Sequence, residues 1–356
     1  MTAESNQAES KQAVSSQADS MPVDWPAFAA EIARHQRFLL TSHIRPDCDA
    51  LGSELGMAGV LRALGKEVVI VNGQATPPNL AFIDPQSEIR AIGETISLDE
   101  LRSIDALMIL DTSAWAQLGP MGEVVRGLNV TKLLVDHHVG EDDLGALIFK
   151  NVRAEATGRL VVEAADALGV SLTAEMARPL FAALATDTGW FRFASTSART
   201  YEIAARLVAA GARPEQIYAQ LYEQETLGRV RLRGLILGRL ESEFGGRLVH
   251  TYVNREDYER AGAIPSDTED AINLALAVAG TQVAVIVVEQ PQGGCKISFR
   301  SRSALDCSQV SRHFGGGGHK AAAGAFVAEP RPVAQQRVLE YVRTTMRELD
   351  PSLKGG

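Results

Sequence analysis

The chain has 356 residues, 46% of them hydrophobic, and a formal net charge of −9 at pH 7. This length predicts two domains with buried cores. The acidic balance argues against a protein that coats long nucleic acid, because phosphate neutralisation dominates such binding. The sequence lacks an apolar run near the roughly 20 residues of a membrane helix, so no membrane partner is expected. Three widely spaced cysteines, Cys48, Cys295 and Cys307, fit a reducing cytoplasm better than a disulfide framework.

The first part of the chain alternates strand and helix patterns. Residues 1–22 are rich in Ser, Gln, Ala and Glu, without the apolar core of a signal peptide, and predict a disordered tail. Apolar runs then predict strands at 38–41, 68–71, 106–110 and 132–135, and helical patterns follow at 51–64, 158–168 and 174–185. Strands that alternate with helices indicate βαβ units and a mostly parallel sheet.

The last third has a different pattern, which predicts a second domain. It contains predicted strands at 247–253, 282–288 and 295–300 and predicted helices at 270–279 and 333–349. We therefore predict an α/β fold in which a parallel-sheet catalytic domain is followed by a smaller α+β domain, with a cleft between the two domains. The predicted boundaries are 23–200 for the first domain, 201–238 for a helical connector and 239–350 for the second domain.

Acidic and imidazole side chains follow apolar segments at four places. They are His43, Asp47 and Asp49; Asp111; Asp136, His137 and His138; and Asp187. The first three groups follow predicted strands, and the fourth follows a helical run. Because ligands of open α/β sheets bind outside the carboxyl ends of the strands, these groups are expected to converge.

Each of these residues also has a purely structural explanation. A lone aspartate such as Asp111 most often caps a turn or a helix, Asp49 is placed to cap the helix that follows it, and Asp187 precedes Thr-Gly, a turn sequence. Taken together, however, so many ionisable groups at one end of a sheet are costly to bury without a cation. The nitrogen and oxygen donors suit Mn²⁺, Fe²⁺, Co²⁺ or Zn²⁺ better than Ca²⁺. Six candidate ligands favour two ions that share a carboxylate, an arrangement suited to displacement at phosphorus.

A basic, glycine-rich segment lies near the C-terminus. Between residues 296 and 320 the sequence has five Lys or Arg residues and one acid, and four glycines at 315–318 precede His319. Glycines let a backbone approach an anion closely, so the segment predicts phosphate binding; a flexible loop with solvated charges is the alternative. The aromatic residues Trp190, Phe191 and Phe193 favour a core interpretation, with base stacking as the alternative.

These motifs resemble a known family. His-x-x-x-Asp-x-Asp from His43, Asp-Thr-Ser from Asp111, Asp-His-His from Asp136 and Thr-Asp-Thr-Gly around Asp187 occur in the order found in the DHH phosphoesterase superfamily. The segments 298–302 and 314–319 resemble the DHHA1 domain. Together they resemble the subgroup of oligoribonucleases that also act as 3′-phosphoadenosine 5′-phosphate (PAP) phosphatases.

The resemblance implies a function and a set of site residues. It implies a hydrolase of the exoribonuclease and 3′-nucleotidase type, which converts short RNA oligonucleotides to mononucleotides and dephosphorylates PAP. It also implies two Mn²⁺ ions, with Mg²⁺ or Co²⁺ as alternatives, one bound by His43, Asp47 and Asp111 and the other by Asp49, Asp111, His137 and Asp187. Asp136 would orient its neighbours, and His138 would act on the phosphate. The implied substrate-binding residues are Arg300, Ser301, Arg302, Gly316, Gly317, Gly318 and His319.

Other functions remain open at this point. A phosphodiesterase for linear or cyclic dinucleotides (pApA, cyclic di-AMP) would use the same groups, and an inorganic pyrophosphatase has a similar metal set. A nucleotide sensor with an inactive metal site would show lost ligands, but all six positions are filled. A homodimer is a further expectation.

Overall fold

The computed structural model describes residues 23–140 and 142–355. The predicted disordered tail, 1–22, lies outside the described residues. The chain forms two compact units, unit 1 (Met1–Glu223) and unit 2 (Gln224–Gly356). Every helix in the described part of the chain is too short or too polar to cross a bilayer.

Helices and strands alternate along unit 1. Its elements are α1 (Trp25–Arg34), β1 (Arg37–Thr41), α2 (Cys48–Ala63), β2 (Glu67–Asn72), β3 (Ile89–Ala91), β4 (Ala106–Leu110), α3 (Trp115–Leu118), α4 (Met121–Gly127), β5 (Thr131–Asp136), β6 (Leu147–Lys150), α5 (Thr157–Ala167), α6 (Ala174–Asp187), α7 (Ala198–Ala209) and α8 (Pro214–Tyr222).

Unit 2 is an α+β arrangement. Its elements are α9 (Leu227–Gly238), β7 (Glu241–Glu243), β8 (Leu248–Val253), α10 (Arg255–Ala261), α11 (Ala271–Leu276), β9 (Val283–Glu289), β10 (Cys295–Ser301), α12 (Cys307–His313), β11 (Gly317–His319), β12 (Ala322–Val327) and α13 (Arg331–Leu349). Helices α7 and α8 therefore lie in unit 1 and α9 in unit 2. The domain boundaries drawn from the sequence stay a prediction.

The strands of unit 1 form a parallel sheet in the order β3-β2-β1-β4-β5-β6. Because helices cover both of its faces, central strand β4 is buried along its whole length. The predicted α/β fold with a parallel sheet is confirmed. The strand order reverses between β1 and β4, and this switch point is where ligands bind in doubly wound folds.

Close packing of α2 against α6 brings two acidic segments to the same edge of the sheet. A Cβ on Gly52 would lie 2.3 Å from the carbonyl oxygen of Pro179, and a Cβ on Gly56 would lie 2.5 Å from Leu180. Only glycine permits this approach. The helices run in opposite directions, so the start of α2 lies beside the end of α6 at Asp187.

The mixed sheet of unit 2 has the order β11-β12-β10-β9-β8-β7, with β8 and β9 parallel and the other pairs antiparallel. One face packs against α12 and α13 around Phe299 and Val338. The opposite face is covered by α9, α10 and α11 over β8 and β9. On that same face, Phe326, Gly317 and His319 remain exposed.

Candidate metal centre

The carboxyl ends of β1, β4 and β5 carry the candidate ligands of unit 1. His43 lies two residues beyond β1, Asp111 directly follows β4, and Asp136 ends β5. Asp111 has a φ of 61°, a left-handed conformation that aspartate tolerates better than most residues. Its amide donates to the carbonyl oxygen of Val135 at 3.0 Å, which fixes it at the sheet edge.

The first group of candidate ligands contains His43, Asp47 and Asp111, whose ligand atoms all lie within 4.8 Å of one another. His43 Nε2 is 3.4 Å from Asp111 Oδ2 and 3.9 Å from Asp47 Oδ1. Asp47 also accepts hydrogen bonds from the amides of Asp49 and Ala50, so the residue that caps α2 is Asp47, whereas the sequence suggested Asp49 for that role.

The second group contains Asp49, His137 and Asp187, again within 4.8 Å. His137 Nε2 is 3.7 Å from Asp49 Oδ2 and 3.6 Å from Asp187 Oδ2. It is also 3.5 Å from Asp111 Oδ1. All six candidate ligands are thus brought together, and Asp111 lies between the two groups.

The clustered negative charges of this site favour the binding of a cation. Burial raises the pKa of Asp49 well above its usual value, and the charges of Asp111 and Asp187 raise it further. Asp187 is shifted in the same direction, first by burial. Burial lowers the pKa of His43, but its contacts with Asp111, Ile44 and Asp47 outweigh this and raise the pKa to about 9. Carboxylates that repel one another in this way, with imidazoles beside them, suit divalent ions.

Residues that the sequence analysis missed hold the ligands in place. The amides of Thr157 and Gly158, at the start of α5, donate to the two oxygens of Asp49 at 2.7 and 2.8 Å. The Thr157 hydroxyl donates to Asp111 Oδ1 at 2.9 Å. The available signal was the predicted helix start itself, because free amides at a helix N-terminus bind anions.

His138 and Asp136 form a pair beside the cluster. His138 Nδ1 is 2.8 Å from Asp136 Oδ1, and the imidazole is half exposed. The hydrogen bond to Asp136 raises the pKa of His138. Burial alone would raise the pKa of Asp136, but hydrogen bonds with His138 and Ser113 lower it to about 2. Lys150 Nζ, at the end of β6 and missed from the sequence, lies 3.4 Å from Asp136 Oδ2.

A buried acid supports the end of β1. Glu54 on α2 is fully buried and accepts a hydrogen bond from Asn72 Nδ2 at 3.0 Å. Asn72 Oδ1 in turn accepts from the amide of Ser42 at 3.0 Å, next to His43. Burial raises the pKa of Glu54 to about 7. The signal in the sequence was an acid inside an apolar stretch of helix.

Glu54→Gln should change how stability depends on pH in the metal-free protein. A carboxyl whose pKa is raised on folding contributes stability below its ordinary pKa and loses it as the pH rises through about 7. Glutamine keeps an acceptor for Asn72 but has no such titration. In the presence of a chelator, the melting temperature of the variant should therefore rise relative to that of the wild type as the pH is raised from about 5 to about 8. Identical pH dependence in both proteins would contradict this role.

The candidate substrate-binding residues of unit 2 divide between two faces of its sheet. Arg300 pairs with Ala322, which pairs with His319, so these residues share one face. Gly317 shares that face and has open space where a Cβ would lie. Ser301 lies on the opposite face, is only 7% exposed and contacts Ser303. Its side chain is therefore not on the face that carries Arg300 and His319.

The remaining predicted residues have different surroundings. Arg302 is exposed just beyond β10. A Cβ on Gly316 would lie 2.2 Å from the carbonyl oxygen of Gly324, and one on Gly318 would lie 2.6 Å from Ala323. These two glycines therefore allow β12 to pack closely. A cavity of about 210 Å³ lies beside Arg300 and is also lined by Lys296 and Ser298.

Comparisons with known proteins agree with these features. Residues 37–185 match the DHH family, N-terminal domain, and residues 245–348 match the DHHA1 domain. The chain is 33% identical over 306 residues to the bifunctional oligoribonuclease and PAP phosphatase NrnA of Thermus thermophilus, covering 85% of this chain and 88% of the relative. It is 26% identical over 300 residues to the NrnA protein of Bacillus subtilis, covering 83% and 91%.

One solved structure shows the same fold. It is an exopolyphosphatase-related protein from Bacteroides fragilis, with a TM-score of 0.71 and 23% identity, covering 93% of this chain and 97% of that chain. A cyclic-di-AMP phosphodiesterase, GdpP of Geobacillus thermodenitrificans, is 24% identical, but the match covers only 46% of its length.

Proposed function

The chain belongs to the DHH family and carries a DHHA1 domain, and on this basis we propose that it is a metal-dependent phosphoesterase that hydrolyses short RNA oligonucleotides to mononucleotides and dephosphorylates PAP. The observation that supports this most strongly is the convergence of the six candidate ligands around Asp111. Their position at the switch point of the sheet adds to it.

The two ions are Mn²⁺ in this proposal, with Mg²⁺ or Co²⁺ as alternatives. His43, Asp47 and Asp111 would hold one of them, and Asp49, Asp111, His137 and Asp187 would hold the other. When bound, such a pair activates water and neutralises charge on the phosphate. Thr157 and Gly158 keep Asp49 and Asp111 oriented through hydrogen bonds, which preserves the site geometry between turnovers.

His138 supplies a proton in the proposed reaction. Its pKa is raised by Asp136, so the imidazole is positively charged in a wider pH range than an ordinary histidine. Half of its side chain is exposed, and its Nδ1 is turned toward Asp136, which leaves Nε2 to donate to a substrate oxygen. Lys150 and the amides of His137 and His138 hold Asp136 in place.

In unit 2, the face that carries Arg300, Gly317 and His319 binds phosphate groups of the substrate in this proposal. The planar guanidinium of arginine can donate two hydrogen bonds to one phosphate. The open space at Gly317 lets an anion approach the backbone. Gly316, Gly318 and Ser301 support the strand arrangement, and Arg302 adds charge beside it.

Two substitutions test this face of unit 2. His319→Ala should raise KM by about tenfold or more, because a hydrogen bond to a charged group is worth about 1.5–3 kcal/mol, and metal content should not change. Gly317→Ala should fold normally and raise KM, because its methyl group occupies the open approach. Gly234→Ala on α9, which also adds a methyl group in open space, is the matched control. An unchanged KM in both variants would remove this face from the substrate site.

A substrate panel tests the activity itself. Purified protein with Mn²⁺ is compared on an RNA of about two to five nucleotides, PAP, a cyclic dinucleotide and pyrophosphate, with product analysis by chromatography. We expect turnover of RNA and PAP that a chelator abolishes. Turnover of the cyclic dinucleotide or of pyrophosphate alone would favour those alternatives, and tight nucleotide binding without any turnover would favour a sensor.

A further inference from the structure

Three aromatic side chains form a surface beside the end of α6, which we call the aromatic shelf: Trp190, Tyr218 and Tyr222. The Trp190 ring centroid lies 5.0 Å from that of Tyr218 and 5.7 Å from that of Tyr222. Tyr218 and Tyr222 are 4.9 Å apart, one turn from each other on α8. The side chains of Tyr218 and Tyr222 are 39% and 47% exposed, more than is expected of aromatic residues that only pack in the core.

The shelf lies next to the candidate metal ligands. The amide of Trp190 donates to the carbonyl oxygen of Ala185 at 2.6 Å, which ties the shelf to the last turn of α6, where Asp187 lies. Tyr222 lies near Cys48, which stands between Asp47 and Asp49 in the chain. The shelf therefore lies beside two of the segments that carry candidate ligands, residues 47–49 and the end of α6.

The backbone at Trp190 supports a site at this position. Trp190 and Phe191 have φ values of 60° and 64°, in the left-handed region that bulky residues rarely adopt. Such conformations cost free energy and persist where the surroundings hold them. Here the Thr188 hydroxyl accepts from the amide of Phe191 at 3.1 Å, and the turn directs Trp190 against α8.

The two proposed substrates differ in one chemical feature. In PAP, the cleaved phosphate is terminal and is attached to one nucleoside only. In RNA, the same phosphate also carries a second nucleoside on its far side. In both cases water adds to phosphorus, the bond from phosphorus to the 3′ oxygen breaks, and that oxygen takes a proton. An enzyme that uses both needs a place for the second nucleoside on which PAP does not depend.

We propose that the aromatic shelf stacks against the base of this second nucleoside, which RNA has and PAP lacks. The inference rests on the proposed function. Stacking on aromatic rings accepts every base, because each base has a π-face, and this suits an enzyme for RNA of any sequence. Tyr222 and Tyr218 are thus specificity-determining residues for RNA relative to PAP.

Tyr222→Ala tests the shelf through the ratio of two KM values. For a 5′-phosphorylated dinucleotide we expect KM to rise between about fivefold and about 150-fold, the range for one base–aromatic stack. The KM for PAP should change by less than about twofold. Tyr222→Phe keeps the ring and should behave as wild type. Tyr201→Ala is the matched control, because Tyr201 is 57% exposed but stacks on Phe191, outside the shelf.

A change in the substrate supplies an independent measurement. A dinucleotide whose second nucleotide lacks its base should have the raised KM already with the wild-type protein. Tyr222→Ala should then cause no further increase. Tyr218→Ala repeats the test if Tyr222→Ala does not fold. The proposal would be overturned if KM rose equally for PAP and for the dinucleotide, or if the dinucleotide KM did not change. It would also be overturned if light scattering showed a change in oligomeric state without a change in KM.

Failure of the proposed function has a different signature. A wild-type protein that turns over neither PAP nor RNA would contradict the function. In that case the shelf is tested by titration with a dinucleotide that carries 2-aminopurine as its second base. Wild-type protein should quench its fluorescence by stacking, and Tyr222→Ala should not. Equal quenching by both proteins would contradict stacking of the second base on the shelf.

Discussion

Asp111→Ala is expected to abolish the binding of both metal ions and to lower turnover of every phosphoester by at least about 10³-fold, because metal ions contribute several kcal/mol of charge stabilisation to such reactions. Asp111 belongs to the first candidate group and lies beside His137 of the second. One of its oxygens lies 3.4 Å from His43 Nε2, and the other lies 3.5 Å from His137 Nε2. Its loss therefore affects both positions at once.

The sharpest measurement is the number of ions bound per chain. Elemental analysis or calorimetry should find no tightly bound ion in Asp111→Ala, but one in Asp47→Ala and one in Asp187→Ala, since each of these residues belongs to a single group. Asp166→Ala is the matched control, because Asp166 is an exposed aspartate of unit 1 that pairs with Arg206. If Asp111→Ala bound two ions or kept full turnover, Asp111 would not be a ligand of both ions.

His138→Asn is expected to lower kcat by about 10²- to 10⁴-fold, the usual contribution of a positioned proton donor. Metal content and KM should remain close to those of the wild type, because His138 contacts Asp136 more closely than it contacts Asp111. His313→Asn is the control, since that imidazole stacks on Tyr341 in unit 2. A His138→Asn enzyme with normal kcat would exclude this role.

The pH profile distinguishes proton donation from simple positioning. The raised pKa of His138 means that the protonated donor persists above the ordinary histidine range, so kcat should fall as the pH rises through that raised pKa. Asp136→Asn removes the main cause of the shift and should move this alkaline limb to lower pH. If the alkaline limb does not move, it reports the titration of a group other than His138.

The sequence identified much of the catalytic unit because its signals are local. Strands at 38–41, 106–110 and 132–135 were recognisable as apolar runs, and the structure has β1, β4 and β5 at these positions. The polar residues follow directly, so their common edge was a consequence of parallel strands. The DHH and DHHA1 family membership is confirmed, as is the α/β fold. The metal-ligand roles and the choice of Mn²⁺ stay predictions.

The sequence also contains a signal that separates Ser301 from Arg300. Ser301 lies next to Arg300 on β10, and the two-residue period of a strand already places neighbouring side chains on opposite faces. Only the pairing of β10, β12 and β11 shows that His319 shares the face of Arg300 and that Gly317 opens onto it.

By itself, the sequence determined which side chains are candidates for metal and phosphate binding, because motif spacing along one strand end is a local property. Only the tertiary structure decided which distant groups support them. Thr157 bonds Asp49 across 108 positions of the chain, and Asn72 bonds Glu54 across 18. The aromatic shelf likewise needs α8 to pack beside the turn after Asp187. Such contacts depend on how helices pack on the sheet, and a pattern of residue types in one segment carries no record of its neighbours in space.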